Sequence, residues 1–211
     1  MTGLAVAIVH NGVALSHCRG EGRDQAATLL PAVAAVLSEA GVDRRQLTMI
    51  AVTVGPGSFT GVRVGLATAR GLAIALGVPL AGFPTTSVLL AQAPATDRLV
   101  VAAIDSKLGD WFCAVAEDDR APFLASSAAL AIRLRGRPSL IVGPQANALM
   151  KSLADASAQQ VPIDAVTLAN LALSDGVETW RARNAAEGLP RPLYLRGVNV
   201  TSPDGSRRTV E

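Results

Sequence analysis

Met49-Ile50-Ala51-Val52-Thr53-Val54, then Gly55-Pro56-Gly57-Ser58-Phe59-Thr60-Gly61, then Val62 through Leu76 and Gly77: how this stretch reads decides the fold. Its first six residues are apolar or β-branched and stop at a glycine, the pattern of a buried strand. Its last part is long, rich in Ala and Leu, and ends at Gly77 with Pro79 just beyond, which are helix stop signals. Strand, glycine-rich turn and helix follow one another, with Ser58 or Thr60 as the N-cap. Such a turn aims backbone N–H groups outward at a helix N-terminus, so a phosphate cradle is one reading. The known phosphate and nucleophile motifs do not fit. No lysine is present for Gly-x-x-x-x-Gly-Lys-Ser/Thr, and Thr60 takes the sixth place of Gly-x-Gly-x-x-Gly. Pro56 and Thr60 stand where Gly-x-Ser-x-Gly would need glycines around Ser58.

Outward from that stretch the chain alternates strands and helices. Leu4–His10 and Val13–Cys18 flank Asn11-Gly12, the hairpin dipeptide. In that hairpin His10 faces Val13 and His17 faces Val6, which separates the two histidines and argues against zinc. Asp24 caps a helix to about Ala40 that contains Pro31 and closes at Gly41. Val78–Ala81 reads as a strand, and Pro84-Thr85-Thr86-Ser87 as the start of a capped helix to about Ala93. Pro94–Asp97 is the best boundary. It divides the chain into an N-terminal α/β lobe, 1–96, and a C-terminal α/β lobe, 97–196, with a tail, 197–211, expected to lack regular structure. In the second lobe Leu99–Asp105 and Trp111–Glu117 form an antiparallel pair. Residues 119–137 are mixed, with Arg133, Arg135 and Arg137 on a solvated edge. Ser139–Val142 and Val161–Ile163 read as strands. Residues 146–154, 165–173 and 176–190 read as helices, Asp164 capping the second and Trp180 facing inward from the third. Leu193–Arg196 reads as a last strand. The strand–turn–strand opening of the second lobe suggests a duplicated α/β unit whose first copy is one strand short.

Composition narrows the function. The 211 residues are 50% hydrophobic and only 3% aromatic, with net charge +2. The core is therefore aliphatic, and no basic footprint for gripping nucleic acid is present. Cys18 and Cys113 have no metal spacing. Arg63 and Arg70 interrupt the most apolar run, which argues against a membrane span, and a cytoplasmic protein is expected. No Ser/His or Cys/His arrangement stands out for a peptidase.

Gly-Pro-Gly-Ser-Phe-Thr-Gly-Val-Arg-Val-Gly, continuing through Ala67-Thr68-Ala69-Arg70-Gly71-Leu72-Ala73, resembles the signature of the TsaB (YeaZ) family of tRNA threonylcarbamoyladenosine biosynthesis proteins. Pro192-Leu193-Tyr194-Leu195-Arg196 is similar to that family's close. The resemblance implies the two-lobed fold of actin-like proteins, sugar kinases and heat-shock ATPases, which is ribonuclease H-like. It also implies a non-catalytic paralogue of the TsaD-type transferase, acting as scaffold and activator in modification of position 37 of ANN-decoding tRNAs. The transferase carries a metal-binding histidine pair on its first long helix. Here that helix has no histidine and offers Glu39, so no catalytic or metal residue is expected. Family members open with a strand ending in Asp-Thr-Ser, which has no counterpart before Met1-Thr2-Gly3, so the first lobe is expected to lack a central strand.

Partners implied are the TsaD-type subunit, a TsaE-type ATPase in the complex, a second copy when alone, and tRNA indirectly. No cofactor of its own is implied, and ATP or ADP belongs at an interface of the complex. The loop Gly55, Pro56, Gly57, Ser58, Phe59, Thr60, Gly61 with Arg63 is the expected nucleotide or partner contact. The first two long helices are nearly apolar all round, more than one sheet face can hide. Their expected partner surface is Leu29, Leu30, Val33, Val36 and Leu37 with Val64, Gly65, Ala67, Thr68 and Gly71. The alternatives are a nucleotide-dependent enzyme of the same fold that uses the turns at 55–61 and 143–145 and, with less support, a peptidase.

Overall fold

A computed structural model describes residues 3–21, 25–196, 198–201 and 207–210. The chain repeats one unit. In the second half, β5 (Leu99–Asp105), β6 (Trp111–Val115) and β7 (Phe123–Ala125) form an antiparallel meander; α4 (Ser127–Leu134), β8 (Ser139–Gly143), α5 (Ala146–Met150) and β9 (Ala156–Gln160) follow. The sheet order is β7-β6-β5-β8-β9, with β5, β8 and β9 parallel. Central β5 reads Leu-Val-Val-Ala-Ala-Ile-Asp because both of its faces are covered. Val101, Ala103, Ile141, Leu130 and Leu149 pack on one side, and Ala102, Ile104, Val142, Leu89 and Leu90 on the other.

Among the described residues the first half has the same order without a central strand. The antiparallel hairpin β1 (Gly3–His10) and β2 (Val13–Glu21) is followed by α1 (Gln25–Ala40), β3 (Ile50–Thr53), α2 (Phe59–Leu76), β4 (Leu80–Phe83) and α3 (Thr85–Ala91). β3 and β4 pair in parallel, but β1 does not pair with β3. α1 packs on β1 and on α2, while α2 packs on β3. α6 (Ala165–Asp175) packs on both β1 and β3. β2-β1 and β3-β4 therefore share the covering helix α6 and leave a gap between β1 and β3. Ile50 and Val54 donate to Pro79 and Phe83 on the β4 side. By alternation, Ala51 and Thr53 direct their backbone groups into the gap. The expected missing central strand thus has a physical counterpart.

Helices are exchanged across residues 94–97, which departs from lobes of 1–96 and 97–196. α3 buries Leu89 and Leu90 against β5 and β6, while α6 and α7 (Val177–Glu187) serve the first half. Ala172 and Trp180 pack with Ala81, and Phe83 meets the Trp180 ring edge-on at 5.2 Å. The Asn184 side-chain amide bonds the Leu80 backbone in both directions, at 2.7 and 3.0 Å, as a neighbouring strand would. Uncovered sheet faces and edges explain the exchange.

Other local expectations change. A bulge between Ile8 and Val9 pairs His17 with Ala7 instead of Val6. Asn11 and Gly12 both have positive φ, as the turn requires. The Asp24 cap lies outside the described residues. Pro84 is the N-cap of α3 and no side chain caps that helix. β9 replaces the strand expected at 161–163, because Pro162 removes a ladder donor there. α5 ends at Met150, short of residue 154. Residues 193–196, preceded by Pro190 and Pro192, make one strand-like bond, from the Leu193 N–H to the Val54 carbonyl at 2.8 Å. In the tail, β10 (Val198–Thr201) pairs antiparallel with β11 (Arg207–Val210). β-branched Val198, Val200, Thr201, Thr209 and Val210 flank the turn residues Pro203-Asp204-Gly205, a hairpin pattern where a tail without regular structure is expected.

Candidate functional site

α2 starts where its cap is. Ser58 takes extended ψ and its hydroxyl accepts from the Gly61 N–H at 3.4 Å; Gly77 ends the helix in the left-handed region. Leu66, Ala69 and Ala73 face β3 and are buried. The outward stripe runs Phe59, Arg63, Ala67, Gly71 and Ile74–Ala75, the i,i+4 spacing of one helix face. Ile74 is 71% exposed, and on α1 Leu30 is 53% exposed. α2 is apolar and long enough to cross a bilayer, but it packs between β3 and α1.

The expected partner residues divide between two surfaces. Leu30, Ala67 and Gly71 lie outside. Leu29, Val33, Val64, Gly65 and Thr68 are half-buried and line the gap between β1 and β3. Val36 is fully buried and Leu37 half-buried. Of the loop, Gly55 and Pro56 are buried, Gly61 is half-buried, and Gly57, Ser58, Phe59, Thr60 and Arg63 are exposed. The Gly55–Pro56 peptide is cis. Sequence periodicity could have found the outer stripe, since Phe59 and Ile74 fit its spacing. It could not have found Tyr194, which arrives from the other end of the chain. The Arg63 guanidinium lies 3.7 Å above the Phe59 ring, and its Nε donates to the Tyr194 hydroxyl at 2.9 Å. The Phe59 and Tyr194 rings are 5.9 Å apart.

The gap continues as a cavity of about 1530 Å³ reaching the turns at Pro56–Phe59, Asp105–Leu108 and Pro144–Gln145. That exceeds the ~300–1,000 Å³ of ordinary ligand pockets. Every lysine and arginine bordering it holds a carboxylate of the chain itself. Arg19 meets Asp164 at 2.6 Å, Lys107 meets Asp105 at 2.7 Å, and Arg196 meets Asp110 at 2.5 Å. Burial pushes the Asp105 carboxyl up, but hydrogen bonds from the Lys107 side chain and backbone outweigh it and hold it below the usual range. Burial of Asp164 is likewise outweighed by the Thr167 N–H and hydroxyl and by Arg19. A bound phosphate would compete with these carboxylates for the three cations. Glu39 accepts from the Ser16 hydroxyl at 2.8 Å. Among the described residues no three His, Cys, Asp or Glu side chains gather as a metal site. Arg133 and Arg137 pair with Asp118 and Glu117 on the solvated edge expected for them.

The chain is similar in sequence and fold to known proteins. The TsaD family profile, tRNA N6-adenosine threonylcarbamoyltransferase, matches residues 21–122. The chain is 32% identical over 117 residues to the tRNA threonylcarbamoyladenosine biosynthesis protein TsaB of Escherichia coli (strain K12), covering 54% of this chain and 51% of that protein. It is 50% identical over 58 residues to the tRNA N6-adenosine threonylcarbamoyltransferase of Erythrobacter litoralis (strain HTCC2594), covering 28% of this chain and 17% of that one. The chain spans about half the length of the TsaB relatives it matches first. Among solved structures, YeaZ from Pseudomonas aeruginosa superposes with a TM-score of 0.71 at 26% identity, covering 92% of this chain and 94% of the other.

Proposed function

Because the chain belongs to the TsaB (YeaZ) family, with the actin-like, ribonuclease H-like fold, we propose that it serves threonylcarbamoyladenosine modification of tRNA as a non-catalytic subunit pairing with a TsaD-type transferase. The outer face of α2 carries the reading. Ile74, Leu30 and Phe59 are large apolar side chains left in water, beside the small Ala67 and Gly71 that admit a second helix backbone. Large apolar side chains left in water along one helix face favour a binding role for that face. The chain acts as scaffold and activator, in the cytoplasm. Any ATP or ADP sits at an interface of the complex, where a TsaE-type ATPase joins. tRNA is met through the transferase, and without that subunit a second copy takes the same face.

Light-scattering mass of the chain, alone and mixed with the transferase subunit, tests the pairing. We expect a heterodimer that charged substitutions at Ala67, Gly71 or Ile74 break. A chain that stays monomeric alone and in the mixture overturns the proposal, as does a complex that ignores those substitutions.

A further inference from the structure

After α7 the chain doubles back as a strap, residues 189–196, across the end of β3. Leu189 and Leu193 join the core under α2, and Pro190 lies so close to β4 that a Cβ on Gly82 would come within 2.5 Å of it. The strap then rises to the surface and places Tyr194, 45% exposed, beside Phe59, 49% exposed. The chain has seven aromatic residues. Among the described residues only these two are large aromatics left in water, and both contact one arginine. Beyond Tyr194, the Arg196–Asp110 pair fixes the strap to the β5–β6 turn.

This arrangement is pre-organised. Arg63 is held flat by a ring below and a hydroxyl at its Nε, so its side-chain freedom is spent before any partner arrives. Its two terminal nitrogens make no hydrogen bond among the described residues. Stacked arginine is weakly hydrated and suits an interface better than lysine. The platform is also the first turn of the stripe Phe59, Arg63, Ala67, Gly71, Ile74, so it continues the partner face without a break.

We propose that the strap completes the partner-binding face. Tyr194 locks Phe59 and Arg63 into a stacked anchor for the transferase subunit. The matching surface is an apolar helix, with small residues opposite Ala67 and Gly71 and a carboxylate opposite Arg63. This inference rests on the pairing proposed above and adds that a C-terminal segment, remote in sequence from both helices, is needed for it.

Calorimetric titration of the full-length chain with the purified transferase subunit tests it. Tyr194→Ala and Phe59→Ala are each expected to weaken binding at least about tenfold, as removal of central aromatic anchors does. Tyr194→Phe, which keeps the ring and loses one hydrogen bond, should cost only about threefold. The double substitution should lose little more than either single one, because both dismantle the same stack. Ile132→Ala, exposed on α4, should bind like the parent. If Tyr194→Ala lowers the melting temperature, Phe59→Ala decides, since that side chain stands at the exposed start of α2. Parent-like affinity in a folded Phe59→Ala or Tyr194→Ala protein overturns the strap's role and leaves the pairing intact. So does loss of self-association alone, which would assign the platform to a second copy. No binding by the parent chain removes the pairing and the anchor together.

Discussion

Asp164 shows what a single residue contributes. Its carboxylate caps α6 through the Thr167 N–H at 2.8 Å and also meets Arg19 on β2, joining the hairpin to the helix beneath it. Burial raises its pKa, the hydrogen bonds lower it further, and the folded value falls below the unfolded value of about 3.9. The stability it supplies is therefore complete above that unfolded value and is lost as pH falls through the folded one. We expect the melting temperature to drop in acid below about pH 4. Asp164→Asn keeps a good cap, loses the charge pair and should make that acid limb shallower. Parallel melting profiles for parent and variant between pH 7 and 2.5 would show that Asp164 plays no part in it. The cap was legible in the sequence, because Asp before an apolar helix has a local mechanism. Its Arg19 partner was not, being 145 positions away. For the same reason Ser58 could be read as a cap, while the contact of Arg63 with Tyr194 could not.

Among elements, those with local determinants were legible. Asn11-Gly12 fixed the first hairpin, and apolar periodicity fixed β3, α2, β5 and α6. The bulge at Ile8–Val9 was not legible, because nothing local marks Leu15 as the extra residue. β9 was missed because Ala-Ser-Ala-Gln-Gln has little β propensity and is held by its neighbour β8. The most consequential element is the gap. In the second half the equivalent place holds β5, antiparallel to β6 and parallel to β8. A doubly apolar strand of about seven residues, ending in an Asp-Thr-Ser-like turn and fused ahead of Met1, should fill the place between β1 and β3. Each net 2 kcal/mol gained would raise the melting temperature by about 4–8 °C in a chain of this size. A fused protein that melts with the parent would show that the gap does not accept a strand. The same fusion with proline at two central positions is the control.

At the scale of the whole molecule, the two-lobed α/β class was legible from the order of elements. The way the lobes share helices was not, since sequence gives order and not which sheet a helix covers. The turns at 55–61, 105–108 and 143–145 converge on one cavity, as in a nucleotide-dependent enzyme, but its cations are already paired. Purified protein with ATP and magnesium should accordingly release phosphate no faster than a blank. Steady release that Ser58→Ala or Thr60→Ala abolishes would establish the enzyme reading instead.

The exchanged helices also bear on how the chain is made. β4 ends at Phe83, yet the helix whose Asn184 satisfies its edge ends at Glu187, about a hundred residues later. At ribosomal speeds of roughly 5–20 residues per second, β3 and β4 wait on the order of 5–20 seconds for their cover. During that interval the nascent first half holds an apolar sheet it cannot bury by itself. Translation must therefore run nearly to the strap before the first half is finished, although its strands are made first.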